Sequence, residues 1–230
     1  MANSNIKEAA TTGQSLNNQE AFFLKFRKQI LIAVAVVVVV IAGVVVYNTF
    51  ISGPRETKAA TAIAKAQEAF AQNDYQKALN GDKTQEGFLA VADNYSGTDA
   101  ANLAKLYAGL GYASLGKWQE AVKYLDSFST QGDAMISPAA TAALGNALAH
   151  TGDIDKAIST LKKAASMADS EAEEGVNNSL SPSFLIQAAR LLESQGKTAD
   201  ALAIYKDIKE KYVNSAAAQD IDKYIERATK

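Results

Sequence analysis

No cysteine occurs anywhere in the 230-residue chain. Disulfides, thiolate metal sites, a cysteine nucleophile and a lipid-modified N-terminal cysteine are excluded with it. Histidine occurs once, at His150. One imidazole without thiolates cannot complete a common structural zinc site. Proline occurs three times, at Pro54, Pro138 and Pro182, so most of the chain carries no helix breaker. Charge of one sign is also scarce, with a formal net charge of −2. Residues 1–29 hold Lys7, Lys25, Arg27 and Lys28 against Glu8 and Glu20, a net +2, which leaves −4 for the residues after Ser52. A mildly acidic domain lacks the basic footprint of a nucleic-acid binder, and no nucleic-acid partner is expected.

Long apolar runs are not lacking. Ile30–Ile51 is 22 residues without a charge. As a helix it would be about 33 Å long, against a hydrocarbon core of about 30 Å. It is apolar on every face, unlike the surface helix of a globular domain. Its valines would favour a strand in water, but a lone strand in lipid leaves backbone groups unsatisfied, so a transmembrane helix over 30–51 is expected. A cleaved leader is not expected, because the run is long, begins late and ends in NTFISGPRET without a small-x-small site.

Ahead of the run lies a polar tail without periodicity, residues 1–19, for which disorder or a loosely held segment is expected. A collar follows in which Phe22, Phe23 and Phe26 interleave with Lys25, Arg27 and Lys28. Rings half-bury in a headgroup layer and cations meet lipid phosphate there, so membrane lipid is an expected partner of the collar. Arg55, Lys58 and Lys65 balance the cations numerically on the other side. Long domains translocate largely regardless of charge, so the clustered cations of the short tail predict an inside N-terminus and an outside C-terminal domain.

The 178 residues after Ser52 suffice for one domain with a sizeable core. Gly53-Pro54 is expected to break the helix or mark its end. Beyond it the chain aligns with itself. Turns at Gln72–Leu79, Leu115–Val122, Thr151–Ile158 and Gln195–Leu202 place an alanine at 78, 121, 157 and 201, with spacings of 43, 36 and 44. Gly109, Tyr112, Gly116, Trp118, Ala121 and Leu125 occupy small and large positions of one unit. Leu144, Gly145, Gly152, Ala157, Leu161 and Ala164 do so in the next, and Ala189, Leu192, Gly196, Ala201, Tyr205 and Ile208 in the last. Small residues let paired helices approach, large ones fill the gap to the next unit, and a turn glycine permits a positive φ. Ser137-Pro138 and Ser181-Pro182 fall at equivalent helix starts, with serine expected as N-cap and proline at the first helical position.

These units resemble tetratricopeptide repeats. The expected fold is therefore all-α: a single N-terminal transmembrane helix, then a tetratricopeptide-like α-solenoid of about four helix pairs plus a C-terminal capping helix. The expected divisions are a tail over 1–29, the membrane helix over 30–51 and a repeat domain over 55–230. Its units run about 59–95, 101–129, 138–169 and 182–213, with a cap over 215–228. Residues 80–86 read as an inserted loop or kink, and Ser170–Asn178 as a solvated acidic loop.

Chemistry is hard to find. Asp153 and Asp155 share a turn but lack the other ligands of a calcium loop. Glu171, Glu173 and Glu174 form a solvated run, and no glycine-rich phosphate loop follows a strand. Neither catalysis, a cofactor, a metal nor a small-molecule substrate is expected. The repeat resemblance implies instead a concave groove lined by the first helix of each unit. Its positions fall on Leu103, Leu106 and Leu110, on Asn146 and His150, and on Ile186 and Arg190. The leucines either line the groove or are covered by neighbouring helices. Asn146 and Arg190 suit a peptide backbone or a carboxylate.

The whole layout, with the collar Ala21–Lys28 running straight into the apolar helix, resembles the YfgM-like ancillary subunits of the bacterial Sec translocon. That resemblance implies a non-enzymatic, chaperone-like helper anchored in the inner membrane with its repeats in the periplasm. Its partners would be the translocon, a membrane-anchored peptidyl-prolyl-isomerase-like chaperone and unfolded exported proteins. An adaptor in another envelope assembly, such as outer-membrane assembly or cell-wall synthesis, needs the same groove and a different partner.

Overall fold

A computed structural model describes residues 2–229, with side chains from Lys25 to Thr229. The described residues are helical throughout, apart from turns, loops and one isolated bridge between Gly81 and Glu86. The chain divides after Pro54 into two compact units.

The first unit is one long helix, α1 (Ala2–Tyr47), ending in a π-helical turn, Asn48–Ser52. Over residues 2–19 helix replaces the disordered or loosely held tail that was expected. Proline is absent there, and a nucleated helix propagates at one hydrogen bond per added residue. From Leu31 to Ile51 every large apolar side chain is exposed, and the apolar window has a mean hydropathy of 3.3. This helix is long and apolar enough to cross a membrane.

Gly53-Pro54 does not end the helical run. The next helix, α2 (Gly53–Ala71), begins at Gly53, whose N–H donates to Asn48 O five residues back. Proline removes one donor and its ring crowds the preceding turn. A wide π turn absorbs both effects where a break was expected.

The second unit, from Arg55, is a stack of helix pairs. The first pair is α2 with a second helix in two pieces, α3 (Tyr75–Asn80) and α4 (Phe88–Asn94), separated by residues 81–87. Then come α5 (Asp99–Ser114) with α6 (Trp118–Asp126), α7 (Ile136–His150) with α8 (Ile154–Ser170), and α9 (Ser181–Ser194) with α10 (Thr198–Lys211). The chain closes with a 3-10 turn, Ala216–Gln219, and α11 (Ile221–Thr229). The terminal helix is therefore shorter than the expected 215–228, because Ser215 caps the 3-10 turn through Ala218 N at 3.2 Å. α11 buries Ile221 and Ala228 and shows Asp222, Lys223, Glu226 and Arg227 outward, which closes the stack with a polar face.

Each later pair is set by a small residue facing a large one. A Cβ placed on Gly109 would lie 2.5 Å from Leu125 Cγ, and one on Gly145 would lie 2.8 Å from Leu161 Cγ. Ala189 and Tyr205 hold the equivalent positions in the last pair, both fully buried. The turns Gly116, Gly152 and Gly196 have φ of 70°, 88° and 72°, a region that favours glycine.

Ser137 and Ser181 are not N-caps. Both are fully buried inside their helices. Asp133 caps α7 instead, its carboxylate accepting from Ile136 N at 2.5 Å and Met135 N at 2.9 Å, and from Ser137 Oγ at 2.6 Å. Asn177 plays this part ahead of α9, accepting from Leu180 N at 2.9 Å. The prolines are not the first helical residues either: Pro182 is second in α9 and Pro138 third in α7, both still within the first turn, where a missing N–H costs little.

Successive pairs are braced by side chains about one repeat apart. Glu56 accepts from Asp99 N and Ala100 N at 2.8 and 2.9 Å, satisfying orphan amides at the start of α5. Asp155 pairs with Lys197 at 3.0 Å. The buried Asp169 takes bonds from Lys211 Nζ (2.5 Å), Ser181 Oγ (2.7 Å), Tyr212 Oη (2.7 Å) and Asn177 N (2.8 Å). Burial alone would raise its carboxyl, but bonds from Lys211, Ser181, Asn177 and Tyr212 outweigh burial and hold it below the ordinary aspartate value. Burial, and then the bond to Asp169, pushes the Tyr212 hydroxyl up to about 12.

The two signs differ. A depressed carboxyl stabilises the fold above the unfolded aspartate value and loses that effect as pH falls through its folded value. A raised phenol stabilises below its unfolded value near 10 and loses the effect as pH climbs toward 12. Asp169→Ala should cost about 2–3 kcal/mol at neutral pH, lowering the thermal midpoint by about 4–12 °C. Circular dichroism melts should show that gap closing as pH falls below the ordinary aspartate value of 3.8. A gap independent of pH would contradict the electrostatic role.

Candidate functional site

The first helices of the second, third and fourth pairs are α5, α7 and α9. On α7 the residues left open are Ile136, Ala139, Asn146 and His150, with Ala143 half-buried between them. At about 100° per residue these five fall within a narrow arc, so they form one stripe. On α9 the corresponding stripe is Ser183, Gln187, Arg190 and Ser194.

Between the C-terminal halves of α7 and α9 lies a cleft of about 440 Å³. Asn146, Ala149 and His150 line one wall, and Gln187, Arg190, Leu191 and Ser194 the other. None of the seven is acidic. Arg190 is exposed and makes no ion pair among the described residues. Glu193, three residues on, is instead engaged by Arg227 at 2.5 Å and by Tyr205 Oη at 3.0 Å. Gln187 donates to Ser183 O at 3.2 Å, which steadies its amide at the cleft wall.

His150 is stacked on Trp118, the N-terminal residue of α6, with ring centroids 3.7 Å apart and planes 4° off parallel. One face of the imidazole is thus covered by the preceding pair. Trp118 is half-buried against the core around Leu106 and Leu125, so it passes the position of that core to the cleft edge.

Three of the seven residues assigned to the groove meet here: Asn146, His150 and Arg190. Leu106 does not belong to an open surface, since it is buried against Ala121, Leu125, Ala140 and Ala147. Leu110 is half-buried on that same core. Leu103 is half-buried too, yet lines a separate hollow near the N-terminal ends of α5 and α7. Ile186 packs on the core under α9 and lies off the cleft. It stands one residue, about 100°, from Gln187, which does line it. Gln187 and Ser194 were legible by helical spacing from Arg190, at i−3 and i+4. The Trp118 stack carried no local signal, because its partner lies 32 positions away.

In the collar, Lys25, Arg27 and Lys28 are exposed, and Lys25 Nζ sits 5.4 Å from the centroid of the half-buried Phe26 ring. The side chains of Phe22 and Phe23 lie outside the described residues. Among the described residues no cluster of three or more His, Cys, Asp or Glu side chains is arranged to hold a metal.

A family model described as a tetratricopeptide repeat-like domain matches residues 20–174, beginning ahead of the apolar stretch. A second, described as a tetratricopeptide repeat, matches residues 184–215. Among solved structures the chain is similar to two crystal structures of a putative kinesin light chain from Podosopora anserina with nearly identical TPR-like repeats. Identity is 13% to each, with TM-scores of 0.57 and 0.58, over 75% of this chain and 85% and 86% of theirs. At that identity the likeness is one of fold. No curated protein matches the chain.

Trp118 is the only tryptophan, so its fluorescence reads the cleft edge directly. His150→Ala should change its emission while leaving the helical circular dichroism intact, at a cost of about 0.5–1.5 kcal/mol for the lost stack. An unchanged emission spectrum would contradict the stacked geometry.

Proposed function

The chain belongs to the tetratricopeptide repeat-like domain family, a class of generally non-catalytic protein-interaction modules, and from that premise we propose a membrane-tethered adaptor that holds extended polypeptide at the α7–α9 cleft. The observation that carries this reading is Arg190, which has no ion pair among the described residues, in an acid-free cleft flanked by the amides of Asn146 and Gln187. A guanidinium takes a carboxylate through two parallel bonds. Side-chain amides suit the alternating donors and acceptors of a peptide backbone.

Magnitudes decide why a tether would matter. An exposed ion pair contributes about 0–1 kcal/mol, and each amide bond adds about 0.5–1.5 kcal/mol. A handful of these gives affinities only in the high-micromolar to millimolar range. Such a site is mostly empty for a freely diffusing ligand. Fixing it beside the source of the ligand raises the effective concentration into the millimolar range and fills it. The apolar helix over 30–51 is suited to that fixing, with the collar of Lys25, Phe26, Arg27 and Lys28 on the inner side of the membrane.

The finer reading is an ancillary subunit of the Sec translocon in the bacterial inner membrane. Its N-terminus is cytoplasmic and its repeats periplasmic. It works beside a membrane-anchored peptidyl-prolyl-isomerase-like chaperone and receives newly exported, still unfolded chains. The layout and the collar support this, as does a groove chemistry that selects for extended backbone rather than for a folded epitope.

Photo-crosslinking amino acids at Asn146 and Arg190, followed by mass spectrometry from intact cells, test it. The expected products are translocon subunits, the chaperone or exported clients. Products confined to cytosolic proteins would overturn both the topology and the role.

A further inference from the structure

The second observation on the inner stripe of α7 is an apolar end. Ile136 is 52% exposed and its neighbour Met135 69% exposed. With Val213 they are the exposed large apolar side chains of the second unit among the described residues. Ile136 borders a hollow of about 290 Å³ whose other apolar walls are Leu103 and Phe128. That is room for a bulky apolar side chain. Asp99 and Asp133 stand at the same hollow, so this end disfavours a carboxylate. The other end of the stripe offers Arg190 and no acid. Between the two ends the stripe carries only Ala139 and Ala143, small enough for a bound backbone to lie close to α7.

We propose that the hollow at Ile136, Leu103 and Phe128 is a second subsite, and that the ligand is an extended polypeptide segment with a bulky apolar residue and an acidic residue or C-terminal carboxylate five or six positions apart. The spacing comes from the helix. Ile136 is ten residues before Asn146 and fourteen before His150, the α7 residues that line the cleft opposite Arg190, which sets the distance along α7 at about 15–21 Å. An extended chain covers about 3.3 Å per residue, so five or six residues bridge that distance. The charge at the two ends sets the polarity: the apolar side chain enters beside Asp99 and Asp133, and the carboxylate pairs with Arg190. This inference rests on the cleft reading above and adds the composition and spacing of what the cleft selects.

The test uses the full chain in lipid nanodiscs and fluorescein-labelled twelve-residue peptides, read by anisotropy. The peptides carry one leucine or phenylalanine and one glutamate at separations of two, five, six and nine positions in a serine–glycine background. Separations of five and six should bind at least about tenfold tighter than two or nine. Ile136→Ser, an exposed substitution, should abolish the spacing preference while leaving circular dichroism unchanged. Arg190→Gln should abolish the dependence on glutamate. Affinity that ignores spacing and survives Ile136→Ser would overturn the second subsite and leave the Arg190 cleft standing. Failure of every acidic peptide to bind would overturn the cleft reading and this inference together. Concentration-dependent self-association lost in Ile136→Ser would assign the hollow to a second copy of the chain and overturn the proposal.

Discussion

The repeat domain depends on one packing rule: a small residue on the first helix of a pair against a large one on the second, sixteen positions later. Gly109 meets Leu125 and Gly145 meets Leu161, each glycine too close to its leucine to admit a Cβ. Ala189 and Tyr205 repeat the spacing. Close-packed interiors have little slack, so these contacts set the distance between paired helices, and through it the position of the next pair. The α7–α9 cleft inherits that geometry. Its walls are the outward faces of first helices whose inward faces are fixed by glycine, alanine and leucine.

Where the rule lapses, other interactions replace it. In the first pair Ala66 holds the small position, but the large one falls on Asp82, beyond the end of α3. Asp82 instead caps a tight loop, accepting from Thr84 N and Thr84 Oγ1 at 2.7 and 2.6 Å. The missing volume is supplied by Phe88 from α4, fully buried and stacked on Tyr107 at 5.1 Å, with Phe70 edge-on to both. Glu56 then ties α2 to the start of α5. At the other end the Glu193–Arg227–Tyr205 cluster holds α11 over α9 and α10.

Much of this was legible before any coordinates. The helical class, the four pairs, the interrupted second helix of the first pair and a polar closing helix follow from alanine, glycine and leucine at repeating positions. So does the apolar helix, whose composition permits no surface role. What escaped had physical reasons. Ser137 and Ser181 have the residue type of an N-cap, but the caps come from Asp133 and Asn177 a few residues upstream, which free the serine hydroxyls for buried bonds. Gly53-Pro54 looks like a terminator, yet a π turn accommodates it without loss of the helical run. Of the groove positions transferred on a family register, Asn146, His150 and Arg190 line the α7–α9 cleft, whereas Ile186 packs on the core one residue away from Gln187. A single step on a helix rotates a side chain from surface to core.

On the proposed reading the cleft makes weak, reversible contacts with extended polypeptide. Where the cleft works then matters more than how tightly it binds. The central claim is that the apolar helix acts through position. Exchanging residues 30–51 for an unrelated apolar helix of equal length, and separately releasing residues 55–230 without any anchor into the same compartment, tests it most directly. Crosslinks from Asn146 to the same partners should persist with the unrelated helix and fall at least about tenfold on release. Equal crosslinking by the released domain, or loss of all partners with the unrelated helix, would contradict the claim.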